Sequence, residues 1–200
     1  IPFWLTGITM SICVSVVIIG GVKSIAKVAS KLIPFMAITY VLAALFIVLI
    51  NFEKMPGVVT LIIDSAFNGA AASGGFLGAS VWMAIRMGFA RGIFSNEAGL
   101  GSAPIAHAAA KTSNPVNQGM IAMLGVFIDT IIICSLTAFV ILLTGAFESG
   151  HEGASMTSLA FSTALYGYGG YIVSFGLILF AFTTILGWSY YGERCASYLF

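Results

Sequence analysis

Between Met83 and Lys111 the chain reads M-A-I-R-M-G-F-A-R-G-I-F-S-N-E-A-G-L-G-S-A-P-I-A-H-A-A-A-K. Here side chains able to do chemistry meet residues that interrupt helices. Ser95, Asn96 and Glu97 are consecutive, Gly99, Gly101 and Pro104 follow at once, and Arg86, Arg91 and His107 flank them. Glycine loses backbone entropy in a helix, and proline removes a donor and clashes with the carbonyl four residues back. A helix broken at this point exposes N–H and C=O groups. Amides at a half-helix start suit a carboxylate, and unwound carbonyls suit a cation or an ammonium group, so a zwitterionic amino acid matches both. The same residues allow plainer roles. Gly88-x-x-x-Gly92 and Ala106-x-x-x-Ala110 suit close helix–helix contact. Glu97 is either a ligand or a structural partner of Arg91 or Arg86, which would otherwise be stranded, and His107 suits a structural hydrogen bond better than a proton relay.

Hydrolytic chemistry has little support. Glu97 and His107 are ten residues apart and about 80° out of phase on a straight helix. The patterns HExxH, GxSxG and GxxxxGK[ST] are absent from the sequence, so neither an intramembrane enzyme nor an ATPase module is indicated. A channel or a non-transporting subunit is the remaining rival class.

The elements that carry this stretch must live in lipid. Apolar residues make up 60% of the 200 and charged residues only 8%, against the quarter or so that a soluble surface needs. The chain is read as one all-α transmembrane domain. Runs of about 20 apolar residues, enough to cross a bilayer, occur at Pro2–Gly21, Leu32–Phe52, Gly119–Phe147 and Tyr168–Tyr191; Val81–Ala110 crosses once with an irregular middle. Charge near the bilayer centre costs several kcal/mol unless paired or facing a cavity, and backbone irregularity there must line a cavity or be buried in protein. The break at Asn96 is therefore expected to face one. Both chain ends lie inside apolar runs, as expected for part of a longer protein.

Lys23, Lys27 and Lys31 share one helical face after the first span, Lys111 follows the third and Arg194 the last. The positive-inside rule puts these on the cytoplasmic side, which requires five crossings. Residues 56–68 and 155–166 read as external amphipathic segments. Cys13, Cys134 and Cys195 lack metal or pairing spacing and read as small buried hydrophobes. Trp4, Trp82, Trp188, Tyr166, Tyr168, Tyr190 and Tyr191 stand near span ends, where interfacial aromatics are ordinary. A net charge of +1 offers no stripe for nucleic acid.

The run A-R-G-I-F-S-N-E-A-G-L-G-S-A-P-I-A-H-A from Ala90 to Ala108 closely resembles the signature of the alanine or glycine:cation symporter family. Supporting stretches are Gly20–Lys27, Asp129-Thr130 and Phe182–Trp188, and the similarity extends over essentially the whole chain. The resemblance implies a leucine-transporter-type bundle of two inverted five-helix repeats. This chain would supply core helices four to eight, and the amino-terminal core helices would lie outside it.

It also implies function. The parent would be a sodium-coupled symporter importing alanine or glycine by alternating access, in the cell membrane, with no cofactor and sodium as a co-transported ion. A proton-coupled carrier, or one for another small neutral amino acid, is the alternative. Phe94, Ser95, Asn96, Ala98 and Gly99 are the implied substrate residues, with Phe94 packing over the substrate side chain. Thr183 and Thr184 match a sodium position, although threonine hydroxyls in helices commonly bond the carbonyl four residues back instead. Glu97, Arg91 and Asp129 are read as structural or coupling residues. Asp129, an intramembrane acid, is either a functional group or the partner of an arginine.

Overall fold

The computed structural model describes residues 2–67, 77–97 and 99–200, so Ala98 and the Asn68 end of the first amphipathic segment lie outside it. The described residues form helices joined by turns and irregular connections, with no strand among them. Helix α1 is Phe3–Ile19 and α2 is Gly21–Ile50; α3 is Met55–Phe67 and α4 is Leu77–Ser95. The short α5, Ser102–His107, follows the break. Then α6 (Pro115–Val126), a π-helical stretch (Phe127–Cys134) and α7 (Ser135–Thr144) run on as one rod. Helices α8 (Gly153–Ala164) and α9 (Gly169–Leu199) complete the chain.

Among the described residues, three helices are long and apolar enough to cross a membrane: Gly21–Ile50, Pro115–Thr144 and Gly169–Leu199. At 1.5 Å per residue, a 30-residue helix is about 45 Å long, against a hydrocarbon core of about 30 Å. Each is long enough to cross with length to spare. The 17 residues of α1 reach about 26 Å.

Helix α2 begins earlier than hydropathy suggests. The stretch between the first two spans, expected as a connection, is helical from Gly21, so Lys23, Lys27 and Lys31 stand exposed on α2 itself. Nothing between Val22 and Ile33 interrupts a helix, and the reversal is made at Gly20–Gly21, where Gly21 takes φ +68°. Pro34 consequently lies inside the helix.

Two apolar clusters hold the bundle. One joins Ala44, Ile47 and Val48 of α2 to Val58 of α3, Val140 and Leu143 of α7, Ala160 and Phe161 of α8, and Val173 of α9. The other joins Val14 of α1 and Ile25 of α2 to Leu186 and Tyr190 of α9, with Ile105 of α5 packed on it. The early part of α2 meets the late part of α9 and the reverse, so these two helices run antiparallel and form the spine. A hydrogen bond of 2.7 Å between Tyr40 Oη and Thr137 Oγ1 ties α2 to α7, and the Tyr40 and Phe161 rings lie 5.3 Å apart.

Helix α8 has one buried face: Ala160 and Phe161 are fully buried and close the first cluster. One expectation is corrected here: the cysteines are free and exposed, not buried. They lie on helix faces that this chain does not cover.

Candidate functional site

The central helix stops at Ser95 and resumes at Ser102. Among the described residues of the interruption, three backbones take positive φ: Glu97 at 50°, Gly99 at 73° and Gly101 at 81°. Two are glycines, for which this conformation is cheap; Glu97 is not, and a non-glycine residue held there needs support from its surroundings.

That support comes from side chains. Ser102 Oγ donates to Glu97 Oε2 at 2.7 Å, and Tyr191 Oη donates to the same oxygen at 3.3 Å. On the other side of the interruption, Ser95 Oγ donates to Asp129 Oδ2 at 2.8 Å. Asn96 Nδ2 donates both to the Gly92 carbonyl at 3.0 Å and to Thr130 Oγ1 at 3.0 Å; Thr130 Oγ1 also lies 3.2 Å from Asn96 Oδ1. Asp129 and Thr130 sit in the π-helical stretch, a rare geometry often found at functional positions. Gln118 Nε2 and His107 Nδ1 are 2.7 Å apart, tying α5 to α6.

The arginine partner that is one alternative for each acid is not found among the described residues. Among the described residues, neither Arg86 nor Arg91 pairs with Glu97 or Asp129, and both arginines are exposed on α4. Hydroxyl donors take their place: they reach the carboxylates from the interruption itself and from the neighbouring helix.

A cleft of about 750 Å³ opens between α4, α5 and α6, lined by Gly88, Gly92, Asn96, Glu97, Pro104 and His107 among others. The cleft is shallow and open along most of its rim. The two glycines of the Gly88-x-x-x-Gly92 pattern thus face open space and not a neighbouring helix among the described residues.

The substrate residues read from the sequence are distributed unevenly. Asn96 lines the cleft, Ser95 is turned onto Asp129, and Gly99 is exposed at the interruption. Phe94 is exposed on α4 and does not line the cleft. Thr183 uses its hydroxyl on the Leu179 and Phe180 carbonyls at 3.0 and 3.1 Å, whereas half-buried Thr184 has no hydrogen-bond partner among the described residues. Thr184 and Tyr191 are seven residues apart on α9. They therefore share a face, about 10 Å apart along the axis.

Sequence reasoning missed Thr130, Ser102 and Tyr191. Tyr191 was read as an interfacial aromatic, and its neighbour Tyr190, also read so, is buried in the second cluster with Arg194 over its ring at 5.1 Å. Among the described residues no group of three or more His, Cys, Asp or Glu could hold a metal ion.

The comparisons with known proteins agree with this setting. The pattern of the sodium:alanine symporter family matches residues 1–200. An "uncharacterized transporter" of Haemophilus influenzae is 55% identical over 201 residues, covering 100% of this chain and 44% of that protein. The sodium/alanine symporter AgcS of Methanococcus maripaludis is 47% identical, covering 98% of this chain and 43% of its own length. The sodium/proton-dependent alanine carrier protein of Bacillus sp. strain PS3 is 36% identical, with 100% and 47% covered. The chain thus spans less than half the length of these relatives. With a match running over all its residues, this chain belongs to the sodium:alanine symporter family.

Proposed function

We propose that the protein containing this chain is a secondary symporter that carries alanine or glycine inward with sodium by alternating access. The family is one of transporters, and the observation that carries the reading is the interrupted central helix. Among the described residues of the interruption, Asn96 closes the last helical bond, to the Gly92 carbonyl, and only turn bonds from Glu97 to Phe94 and from Leu100 to Glu97 follow, at the edge of a cleft; each side of the interruption is held by side chains from another helix. In this reading the freed backbone takes the two charged ends of the amino acid. Asn96 and Gly99 shape the pocket beside Ser95 and Ala98, and Phe94 packs over the substrate from a face that the rest of the protein covers. Thr184, with Thr183 beside it, contributes oxygen to sodium. Five crossings in a leucine-transporter-type bundle, with Lys23, Lys27, Lys31, Lys111 and Arg194 cytoplasmic, complete the proposal. The remaining wall of the site would come from amino-terminal helices outside this chain.

The deciding measurement is uptake of labelled alanine by the full-length protein in proteoliposomes. Saturable uptake that collapses when choline replaces sodium is the expected result. Uptake indifferent to that replacement removes the coupling, and absence of saturable uptake removes the substrate.

The names of relatives favour one alternative. A sodium/proton-dependent alanine carrier and a probable sodium/glutamine symporter, GlnT of Bacillus subtilis, are 36% and 41% identical to this chain. Competition by unlabelled glycine, alanine and glutamine, with an imposed proton gradient in sodium-free buffer, separates these cases from sodium-driven alanine or glycine transport.

A further inference from the structure

The two sides of the interruption are anchored to different helices. The α4 side, Ser95 and Asn96, is tied to Asp129 and Thr130 of the π-helical stretch. The α5 side is tied to α9: Ile105 packs on the cluster of Leu186 and Tyr190, and Glu97 receives the Tyr191 hydroxyl. Glu97 Oε2 is the shared acceptor of Tyr191 and of Ser102, the first residue of α5.

Ser102 is buried, and Glu97 and Tyr191 are half-buried. A carboxylate in such a place needs donors, and these two hydroxyls are its side-chain donors among the described residues. The Tyr191 ring is itself oriented, edge-on to Trp188 with centroids 5.7 Å apart. Glu97 also carries the strained φ of 50°, a conformation that persists only when its surroundings enforce it.

We propose that Tyr191 and Ser102 are positioning residues for transport: their hydroxyls clamp the Glu97 carboxylate and so hold the Glu97, Gly99 and Gly101 backbone in the pose that receives the amino acid. This rests on the reading of the interruption as the substrate site. Neither residue touches substrate in this account. They act through Glu97, by keeping the binding-competent backbone populated. A ligand's apparent affinity falls in proportion to the competent fraction, so losing a hydrogen bond to a charged group should weaken binding about tenfold.

The test uses the full-length protein, with alanine binding measured at saturating sodium and amide hydrogen exchange followed over residues 97–107. Tyr191→Phe keeps the ring and removes only the hydroxyl. It should raise the alanine Kd about tenfold and speed exchange in the interruption, leaving the amount of folded protein unchanged. Ser102→Ala should do the same, and Ser102→Thr, which restores the hydroxyl, should recover most of the affinity. In a Glu97→Ala background Tyr191→Phe should have no further effect. A purely structural role would instead lower folded yield and add to Glu97→Ala. Unchanged Kd, unchanged exchange or additive effects each overturn the clamp. Absence of alanine binding by the unmodified protein sinks the functional reading, and the exchange comparison then decides the clamp alone.

Discussion

The hydroxyl of Ser95 donates to the carboxylate of Asp129 at 2.8 Å, joining the end of α4 to a residue 34 positions later. The next residue on each side repeats the contact, Asn96 to Thr130, at the same separation. Consecutive residues on an α-helix diverge by about 100°, which turns neighbours away from a common partner. The wider turn of a π-helix reduces that divergence. The stretch Phe127–Cys134 thereby lets two adjacent side chains meet two adjacent side chains.

Asp129 and Ser95 should accordingly behave as one unit. Ser95→Ala and Asp129→Ala should each lower the initial uptake rate of alanine by about ten- to a hundredfold, the range set by the 1.5–3 kcal/mol typical of a hydrogen bond to a charged group. The double variant should be little worse than either single one. Uptake rates for the four proteins close the cycle, and strictly multiplicative losses would show that the two residues act apart.

Gly99 occupies φ +73° with open space around its α-carbon, so Gly99→Ala meets no steric neighbour and only the backbone penalty. That penalty is about 1–2 kcal/mol for a left-handed residue, and it should flatten the interruption toward helix. Alanine uptake should be lost and membrane expression retained. Asn96→Ala should give the same phenotype by another route, since it removes the contacts to the Gly92 carbonyl and Thr130. Normal uptake in both variants would move the substrate site elsewhere.

How much of this was legible in the sequence depended on range. The interruption was legible because glycine, proline and adjacent polar residues act locally, within one or two turns. The long apolar helices were legible from hydropathy. The start of α2 was not: lysines suggested a connection, yet residues 22–33 contain no breaker, and exposed lysines are compatible with a helix that runs past the membrane. The partner of Glu97 was not legible either. Tyr191 lies 94 positions away, and arginines nearby in sequence looked more plausible than a phenol brought close by the packing of α5 on α9. The π-helical stretch left no sign that periodicity could detect, so the pairing of Asp129 and Thr130 with Ser95 and Asn96 waited on the structure.

Gly169 brings the start of α9 hard against α8. A β-carbon there would collide with the backbone carbonyl of Phe161, which is itself fully buried. Backbone cannot swing aside as a flexible side chain can, so Gly169→Ala must push α9 away from α8. Overpacking of this kind costs about 1–3 kcal/mol. The variant should show a lowered thermal midpoint in detergent and reduced membrane yield, with unchanged alanine affinity in the fraction that folds. Gly176→Ala, where nothing lies within 4 Å among the described residues, is the matched control. Equal midpoints for the two would show that the α8–α9 contact is looser than the structure has it.

The two threonines proposed for sodium should not be equivalent. Thr183 already spends its proton on the Leu179 and Phe180 carbonyls, a bond within its own helix that survives with or without an ion. Thr184 has no such partner among the described residues, and it shares a face of α9 with Tyr191, which reaches the interruption. An oxygen uncommitted within its helix and on the side facing the site is the better ligand. Thr184→Ala should therefore raise the sodium concentration for half-maximal uptake by about tenfold, as expected for one lost ligand to a charged group. Alanine affinity at saturating sodium should stay near its original value. Thr183→Ala should produce a smaller shift, and Thr184→Ser, which keeps the hydroxyl, should restore the original sodium dependence. Sodium titrations of uptake at fixed alanine distinguish these outcomes. A larger effect at Thr183 than at Thr184 would place the ion on the other face of the helix, and no effect at either would take it off α9 altogether.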